Sequence, residues 1–459
     1  MHRLSLVTWM ISIAATMPLA APAQETSLRA WPEYQVIMWQ GSSAAKQPDK
    51  FPLYYQRLQE IGVSAGMVYG DGDLKPLLAA QFPYYVENMV NRGLCLKFSS
   101  KVTDWNSPDY KLTQRARDLT PVFREMRSPL AALFMQARRD RDPVAIHYSQ
   151  PSIQAAWLLE STVDGSTWLR RFSSFEAAHN RHARVRHGWL KMLEDAGYDP
   201  VYVSTQQIEA GELSKFKALL LPQSWAMSDA EATRITEFLH STDGPRTILA
   251  DGQIGLFDEH GRLRPTGALD PMIAPGSAAS AIVRRLDKPV PRDHVSFEAS
   301  PAAYANAEAG GGREQTSGWV DKIRDEWLNH VPPTVVVPAD ARVKVWKYTL
   351  PPAKSLPTGT LPIRLLAFER NITYRMGEDL QQSADNSAMT GDISITAQLP
   401  APKHAYDLRS GKYLGHSAEL TLNVSSDMPT LIAVSEFILP EENLVEHLLR
   451  RLGKGVRNQ

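Results

Sequence analysis

The stretch Val144-Ala-Ile-His-Tyr148 is a short apolar run, and a helical segment begins after the polar Ser149-Gln-Pro-Ser152 that follows it. An apolar run bounded by turn residues predicts a buried strand that leads into a helix. The alternation continues as far as Arg262 and predicts three further strands: Pro200–Val203, Phe216–Leu221 and Thr247–Ala250. Strands that alternate with helices predict a parallel sheet with helices on both faces.

Two helices of this stretch have clear termini. The first is predicted from about Phe175 to Ala196, because apolar residues recur at spacings of three and four, and Gly197 supplies its end. The second begins at Ser228-Asp-Ala-Glu231, a capping box in which the serine receives the N3 amide and the glutamate reaches back. It is predicted to end near His240.

Ligands of parallel sheets bind beyond the carboxyl ends of the strands, here Ser149-Gln150, Gln223-Ser224 and Asp251-Gly252. The layout is that of flavodoxin-like and amidotransferase-like domains. Amidotransferases need a thiolate at a strand-to-helix turn, whereas the single cysteine, Cys95, lies far upstream. Ser149 lacks the Gly-x-Ser-x-Gly context of a hydrolase, so we interpret it as a polar residue at a strand end. The domain is predicted to carry no catalysis.

The chain begins with Met1-His-Arg3 and an apolar span, and then reads Ala20-Ala-Pro-Ala23. This pattern predicts a secretory signal peptide over residues 1–23. The span is too short and too interrupted by polar residues for a membrane anchor. With one cysteine, no internal disulfide is possible. We therefore expect a soluble, exported protein, and export without disulfides favours a bacterial periplasm.

Charge and histidine placement argue against several partners. The chain has 50 basic and 50 acidic residues, a formal net charge of zero, which favours neither nucleic acid nor an anionic membrane surface. His179, His182 and His187 lie among three arginines of a predicted helix, where cations would repel a metal ion. We interpret them as a solvated helix face, and we expect no metal site and no cofactor.

The regions on either side differ from the central stretch. From Trp31 to Asp142, strand-like runs alternate with helical ones as in a (β/α) barrel, but a complete barrel takes about 250 residues. The charged run Arg138-Arg-Asp-Arg-Asp142 is interpreted as a linker. From Thr334 onward, alternating strand patterns predict an antiparallel sandwich, and Glu441–Arg450 predicts a final amphipathic helix.

Several segments resemble a known family. These are Val144-Ala-Ile-His-Tyr-Ser149, Leu219-Leu-Leu-Pro222, Ala226-Met-Ser-Asp229 and Gly255-Leu-Phe-Asp-Glu-His-Gly261. They resemble the β-galactosidase trimerisation domain of glycoside hydrolase family 42. Tyr406-Asp-Leu-Arg-Ser-Gly-Lys-Tyr-Leu-Gly415 is similar to the C-terminal β domain of that family, and Pro83-Tyr-Tyr-Val-Glu-Asn88 to an early barrel strand.

The resemblance implies four regions. They are a signal peptide over residues 1–23, a shortened barrel-like region over 24–142, a trimerisation-like α/β domain over 143–275 and a β-rich domain over 276–459. It also implies a secreted glycoside hydrolase that acts on a galactoside, with a barrel short enough to impair catalysis. The alternative is a non-catalytic carbohydrate-binding or oligomerisation protein.

The family's reaction needs two carboxylic acids, one of which belongs to an Asn-Glu pair. No Asn-Glu pair occurs in the sequence. Glu87 is the catalytic candidate, because it lies at a predicted strand end beside Asn88, where barrels place their sites. The substrate-binding candidates are Trp39, Tyr69, Asn88 and Trp105; the aromatic ones could stack on sugar rings or belong to the core.

The resemblance further implies a homotrimer with three-fold symmetry. Four apolar residues near the predicted strand ends are candidates for the contact, since exposed apolar surface marks interaction sites: Trp225, Met227, Leu256 and Phe257. A closed ring requires two complementary patches on each subunit.

Overall fold

The computed structural model describes residues 34–39, 50–68, 84–86, 93–96, 102–104, 106–161, 181–251, 254–270, 283–286, 319–350, 362–372 and 390–452. The predicted signal peptide lies outside these residues. The chain divides into two compact units, Met1–Met135 and Gln136–Gln459. Among the described residues, no helix has the length and apolar character needed to cross a membrane.

The first unit contains a four-stranded parallel sheet. Its strands are β1 (Gln35–Trp39), β2 (Ala65–Val68), β3 (Tyr84–Val86) and β4 (Gly93–Leu96). Helix α1 (Phe51–Glu60) lies between β1 and β2 in the sequence. Helices α2 (Gln114–Met126) and α3 (Pro129–Gln136) come after β4. Alternate residues of β1 bury against α1 and α2, because the side-chain period of a strand is two.

The strand order in this sheet is β3-β2-β1-β4. The parallel pairing is confirmed for this unit, and α1 lies between β1 and β2 as predicted, whereas the helix predicted around Leu74 to Ala80 lies outside the described residues. The order differs from that of a barrel, in which each strand lies beside its successor and the fourth strand would pair with the third. Here Val36 pairs with Leu94, so that β4 lies beside β1. The predicted barrel arrangement is therefore not confirmed by the described strands.

The second unit begins with β5 (Arg138–Arg139) and continues with a five-stranded parallel sheet in the order β10-β9-β8-β6-β7. The strands of that sheet are β6 (Val144–Tyr148), β7 (Val201–Ser204), β8 (Ala218–Pro222), β9 (Thr247–Asp251) and β10 (Val283–Leu286). Its helices are α4 (Gln150–Ser161), α5 (Arg181–Asp195), α6 (Thr205–Glu209) and α7 (Asp229–Leu239). The predicted parallel α/β domain is confirmed.

Both faces of this sheet are covered. Ile146 and Leu220 belong to a core cluster with Trp189 of α5, whereas Leu219 and Leu221 belong to a cluster with Ile235 of α7. Successive side chains of a strand point to opposite faces, so a continuous apolar strand can supply two cores. This explains why β8 is buried along its whole length.

The C-terminal region forms a six-stranded sheet in the order β14-β13-β15-β12-β11-β5, with antiparallel pairing. Its further strands are β11 (Val343–Thr349), β12 (Arg364–Arg370), β13 (Ile393–Asp407), β14 (Tyr413–Val424) and β15 (Thr430–Ser435). The predicted final helix is confirmed as α8 (Leu444–Arg451), with Leu444, Leu448 and Leu449 buried.

Two predictions for this region are not confirmed. The described strands form one antiparallel sheet, which confirms the antiparallel pairing but shows no second sheet of a sandwich among the described residues. A break in pairing between Gln398 and Lys403 bends β13, and Ile395 joins the same core cluster as Val343 and Val434. The run Thr334–Val337, predicted as a strand, makes a single bridge between Val336 and Gln398.

The run Arg138–Asp142 is not a linker. β5 pairs with β11, and Arg139 donates two hydrogen bonds of 2.8 and 2.9 Å to Asp199, which follows α5. Asp142 is buried and holds Lys347 of β11 in an ion pair. Bidentate arginine pairs and buried ion pairs need fixed geometry. The run therefore fastens the antiparallel sheet to the parallel one.

Candidate functional site

The predicted catalytic and substrate-binding residues Tyr69 and Glu87 follow strands of the first unit in the sequence, so the carboxyl edge of its sheet is the part of the structure that bears on them. β1, β2 and β3 are parallel neighbours, with Trp39 opposite Met67 and Met67 opposite Tyr85. Because parallel neighbours end at the same edge, the ends of these strands lie side by side. β1 ends at Trp39, and the sequence continues from Val68 of β2 to Tyr69 and from Val86 of β3 to Glu87.

The side chains themselves are not among the described parts. Trp39 is the last residue of β1, and only its backbone is among the described parts of the chain. Tyr69, Glu87, Asn88 and Trp105 lie outside the described residues altogether. The strand ends thus agree with the prediction, while the roles of these five residues stay predictions.

The carboxyl edge of the parallel sheet in the second unit also carries polar residues, among them His147 and Ser224. The chain passes from β6 to β7 on one side and then returns to β8 on the other side of β6. This reversal makes the gap between β6 and β8 a topological switch point, where open α/β sheets place their ligand sites. His147 of β6 and Ser224 after β8 lie there.

His147 connects two partners that are distant in the sequence. Its Nδ1 lies 2.8 Å from Oγ of Ser224, and its Nε2 lies 3.0 Å from Oε1 of Glu231 in α7. Burial raises the pKa of Glu231, but hydrogen bonds from His147 and from the Ser228 amide outweigh that effect, so the pKa is lowered. Glu231 therefore favours the ionised form, and its Oε1 accepts a hydrogen bond from His147 when the neutral imidazole carries its proton on Nε2. In that tautomer Nδ1 accepts a hydrogen bond from the Ser224 hydroxyl.

Glu231 has a second role at the start of α7. The Ser228 amide donates to Oε2 of Glu231 at 2.9 Å, and the Glu231 amide donates to Oγ of Ser228 at 3.0 Å. This is the capping box that the sequence predicts, and it is confirmed. One oxygen of the carboxylate completes the cap while the other holds His147.

Neighbouring Gln223 has an unusual backbone. Its φ is 42°, in the left-handed region that residues other than glycine adopt rarely. Its amide donates to Oδ1 of Asp251 at 2.8 Å, and Trp189 Nε1 donates to the same oxygen at 3.3 Å. Burial raises the pKa of Asp251 to about 6. Asp251 Oδ2 and Gln223 Oε1 are buried and have no hydrogen-bond partner among the described residues.

The histidines of α5 differ from the prediction. His182 is 6% exposed, and burial, with Arg186 nearby, lowers its pKa to about 3. The pKa of His187 is lowered to about 4 by burial and by Lys191. The prediction of a solvated helix face is therefore wrong for His182, which is buried, and His187 is half-buried. His179 lies outside the described residues.

The three linked side chains have the order of a serine hydrolase relay, namely hydroxyl, imidazole and carboxylate. Ser224 is 1% exposed and His147 is 2% exposed, so a substrate cannot reach the hydroxyl. Burial makes this group a polar bridge that fixes β6, β8 and α7. Sequence reasoning missed the bridge, although a histidine inside an apolar strand requires a buried partner.

Ser149 agrees with the prediction of a polar strand-end residue. Its hydroxyl donates to the carbonyl of Ala226 at 2.9 Å and accepts from the Ser152 amide at 3.0 Å. It therefore satisfies the free amides at the start of α4, which is a structural task.

The predicted apolar contact surface is partly wrong. Met227 is fully buried in the core beneath α7, and Trp225, Leu256 and Phe257 are half-buried. The amide of Phe257 donates to Trp225 O at 2.8 Å, and that of Met227 donates to Phe257 O at 3.1 Å, so this loop is tied to the sheet. Leu263, which bridges to Phe257, is 63% exposed and presents apolar surface there.

Comparison with known proteins gives matches to solved structures alone. No protein-family description and no curated protein matches the sequence. A β-galactosidase from Bacillus circulans sp. alkalophilus has a TM-score of 0.43 and 12% identity, over 79% of this chain and 51% of that one. A catalytic mutant of a family 42 β-galactosidase from G. stearothermophilus has a TM-score of 0.41 and 12% identity, over 86% and 56%.

An exo-carrageenase of family 42 from Bacteroides ovatus has a TM-score of 0.37 and 10% identity, over 86% of this chain and 40% of that one. The chain spans about half the length of the first of these structures. The solved structures to which the chain is similar, at low identity, are thus enzymes described as β-galactosidases or as an exo-carrageenase of family 42.

Proposed function

We propose that the protein is a glycoside hydrolase of the family 42 type that acts on a galactoside at the carboxyl edge of the sheet in the first unit. The observation that supports this proposal is the alignment of three parallel strand ends, at Trp39, Val68 and Val86. Tyr69 and Glu87 follow two of these ends directly in the sequence. Sites of β/α enzymes are built at such edges, where several strands contribute side chains to one substrate.

In this proposal Glu87 transfers a proton to or from the glycosidic oxygen, and Asn88 hydrogen-bonds a sugar hydroxyl. Trp39, Tyr69 and Trp105 stack on sugar rings. Glycoside hydrolysis requires a second carboxylate, about 5 Å away for retention and about 6.5–9.5 Å away for inversion. Mutagenesis of the other acidic residues of the first unit, with nitrophenyl β-galactoside hydrolysis as the readout, would identify this second carboxylate.

The second unit has a different task in the same proposal. At the switch point Ser149 and Ser224 are buried, so the described residues there offer no accessible nucleophile. We propose that this domain holds three copies of the chain together, as the resemblance to the trimerisation domain implies. The leader at residues 1–23 directs the protein out of the cytoplasm.

Hydrolysis of nitrophenyl β-galactosides by the purified chain tests the proposal. Glu87→Gln removes the ionisable group with little change in volume and is expected to lower kcat by about 100-fold or more. Glu60→Gln is the control, because Glu60 lies at the end of α1, pairs with Arg57 and is partly exposed. Equal activity of the two variants would remove Glu87 from the mechanism.

A second measurement separates catalysis from binding. Calorimetric titration with galactosides is expected to show binding together with turnover. Binding without turnover would instead assign the chain to the non-catalytic carbohydrate-binding class. If the chain neither binds nor hydrolyses galactosides, the proposed substrate is contradicted.

A further inference from the structure

A cleft of about 490 Å³ lies on the antiparallel sheet of the second unit. Its size is within the range of about 300–1,000 Å³ that is typical of small-molecule sites. Aliphatic side chains contribute apolar surface to the cleft, among them Val335, Leu366, Leu399 and Val434. β5, β11, β12, β13 and β15 supply most of the other lining residues. The described residues that line the cleft all belong to the second unit, and none of them is His147, Ser224 or Glu231 of the polar bridge.

Cations outnumber anions around this cleft. The charged lining residues are Arg138, Arg141, Lys347, Arg364 and Lys403 against Asp140, Asp142 and Glu436. Each of the three acids already has a cation: Asp142 holds Lys347, Glu436 holds Lys403 and Asp140 holds Arg138. Arg141 donates to Asp199 at 2.7 Å, outside the cleft lining.

Arg364 is the remaining cation. It is the first residue of β12 and is exposed, and its guanidinium has no hydrogen bond or ion pair with any part of the chain that the structure describes. Its cross-strand neighbours Thr349 and Val434 also line the cleft. Two flanking strands thus fix the backbone of Arg364 at the cleft, and its guanidinium has no counter-ion among the described residues.

A guanidinium presents planar donors that match a carboxylate with two parallel hydrogen bonds. The aliphatic side chains suit a compact carbon skeleton, whereas a neutral ligand would leave the positive surplus uncompensated. We infer that this cleft binds the carboxylate of a small organic acid, with Arg364 as the anion-binding group. The ligand is either a sugar acid or a simple aliphatic acid, since both provide a carboxylate on a compact body.

Calorimetric titration of the full chain with galacturonate, hexanoate and galactose tests this inference. At least one carboxylate is expected to bind and galactose is expected to bind more weakly at this cleft. Binding of galacturonate alone identifies a sugar acid, and binding of hexanoate as well identifies the carboxylate with any compact body. Raising the salt concentration is expected to weaken the carboxylate binding, because it screens the guanidinium.

Arg364→Gln is expected to reduce carboxylate affinity at least tenfold. Arg115→Gln is the matched control, because Arg115 is also an exposed arginine and has no partner among the described residues. Both variants should keep the wild-type Tm, and Glu87→Gln should keep the carboxylate binding, which separates this cleft from the proposed catalytic edge. Absence of binding by both acids, or unchanged affinity in Arg364→Gln, would overturn the inference.

Discussion

The Nε2 atom of His147 lies 3.0 Å from Oε1 of Glu231, and neither side chain has any exposed surface. The two residues are 84 positions apart in the sequence. Glu231 also completes the cap of α7, so a single carboxylate joins a central strand to the helix that covers it. Removal of this carboxylate would leave a ring nitrogen and a backbone amide buried without partners.

Glu231→Ala is therefore expected to lower the free energy of unfolding by about 3 kcal/mol, since each buried polar group left unpaired costs about 1–3 kcal/mol. Glu231→Gln is expected to cost less, because its amide oxygen can still accept from the Ser228 amide and its NH2 can donate to Nε2 of His147 once the imidazole proton moves to Nδ1, where Ser224 Oγ accepts it. Urea denaturation measures both. The control Glu237→Ala lies on the exposed side of α7, pairs with Arg234 and should change stability by less than about 1 kcal/mol. Equal losses in all three variants would contradict the bridge.

Asp251 makes stability depend on pH. Its pKa is raised to about 6, so the folded state favours the protonated form. Stability from this group is fully present below the unfolded pKa of about 4 and is lost as the pH rises through about 6. Asp251→Asn removes the titration while keeping an acceptor for the Gln223 amide. The variant should gain stability relative to wild type between pH 4 and pH 7, by roughly 2–3 kcal/mol.

Denaturation curves at several pH values measure this gain. Asp243→Asn serves as a control, because the Asp243 side chain is 73% exposed and its difference from wild type should not vary in the same way. A constant difference between Asp251→Asn and wild type across this pH range would show that Asp251 is ionised in the folded protein.

Two glycines with left-handed backbones distinguish the cost of backbone strain from the cost of a steric clash. Gly197 has a φ of 92°, and a Cβ there would lie 2.6 Å from the backbone oxygen of Val335. Gly211 has a φ of 82° and nothing within 4 Å of the same position. Gly211→Ala is expected to cost about 1 kcal/mol from the backbone alone. Gly197→Ala should cost at least twice as much, since the Val335 backbone must also move, and chemical denaturation compares the two. A similar loss of stability in both variants would show that the Val335 backbone can move away from a Cβ at residue 197 at little cost.

The proposed homotrimer predicts a mass of three chains by light scattering over a concentration series. Leu263→Asp is expected to weaken the trimer, because it places a charge at an exposed apolar position beside Phe257. Leu263 is 63% exposed in the single chain, so the fold and Tm of a monomer should be unaffected. A mass of one chain at every concentration would exclude the trimer, and a trimer insensitive to Leu263→Asp would place its contact elsewhere.

Local signals predicted much of the second unit. The capping box joins Ser228 to Glu231 three positions away, and the apolar run of β8 is buried on both faces as such runs are in parallel sheets. The left-handed φ of Gly197 after α5 agrees with the predicted helix end. These features depend on residues within one or two turns of each other, so the sequence contains all the information that they need.

The sequence by itself therefore determined the alternation of strands and helices in the second unit, the termini of its helices and the sheet edge at which its strands end. Tertiary structure alone decided that β4 lies beside β1, that His182 is buried and that Arg139 and Asp142 join two sheets. It also decided the pairing of His147 with Ser224 and Glu231, 77 and 84 residues away. Local patterns specify which groups need partners, but the choice among distant partners depends on how the elements pack. The reason is that a buried polar group is stabilised by any partner that the fold brings within hydrogen-bond distance.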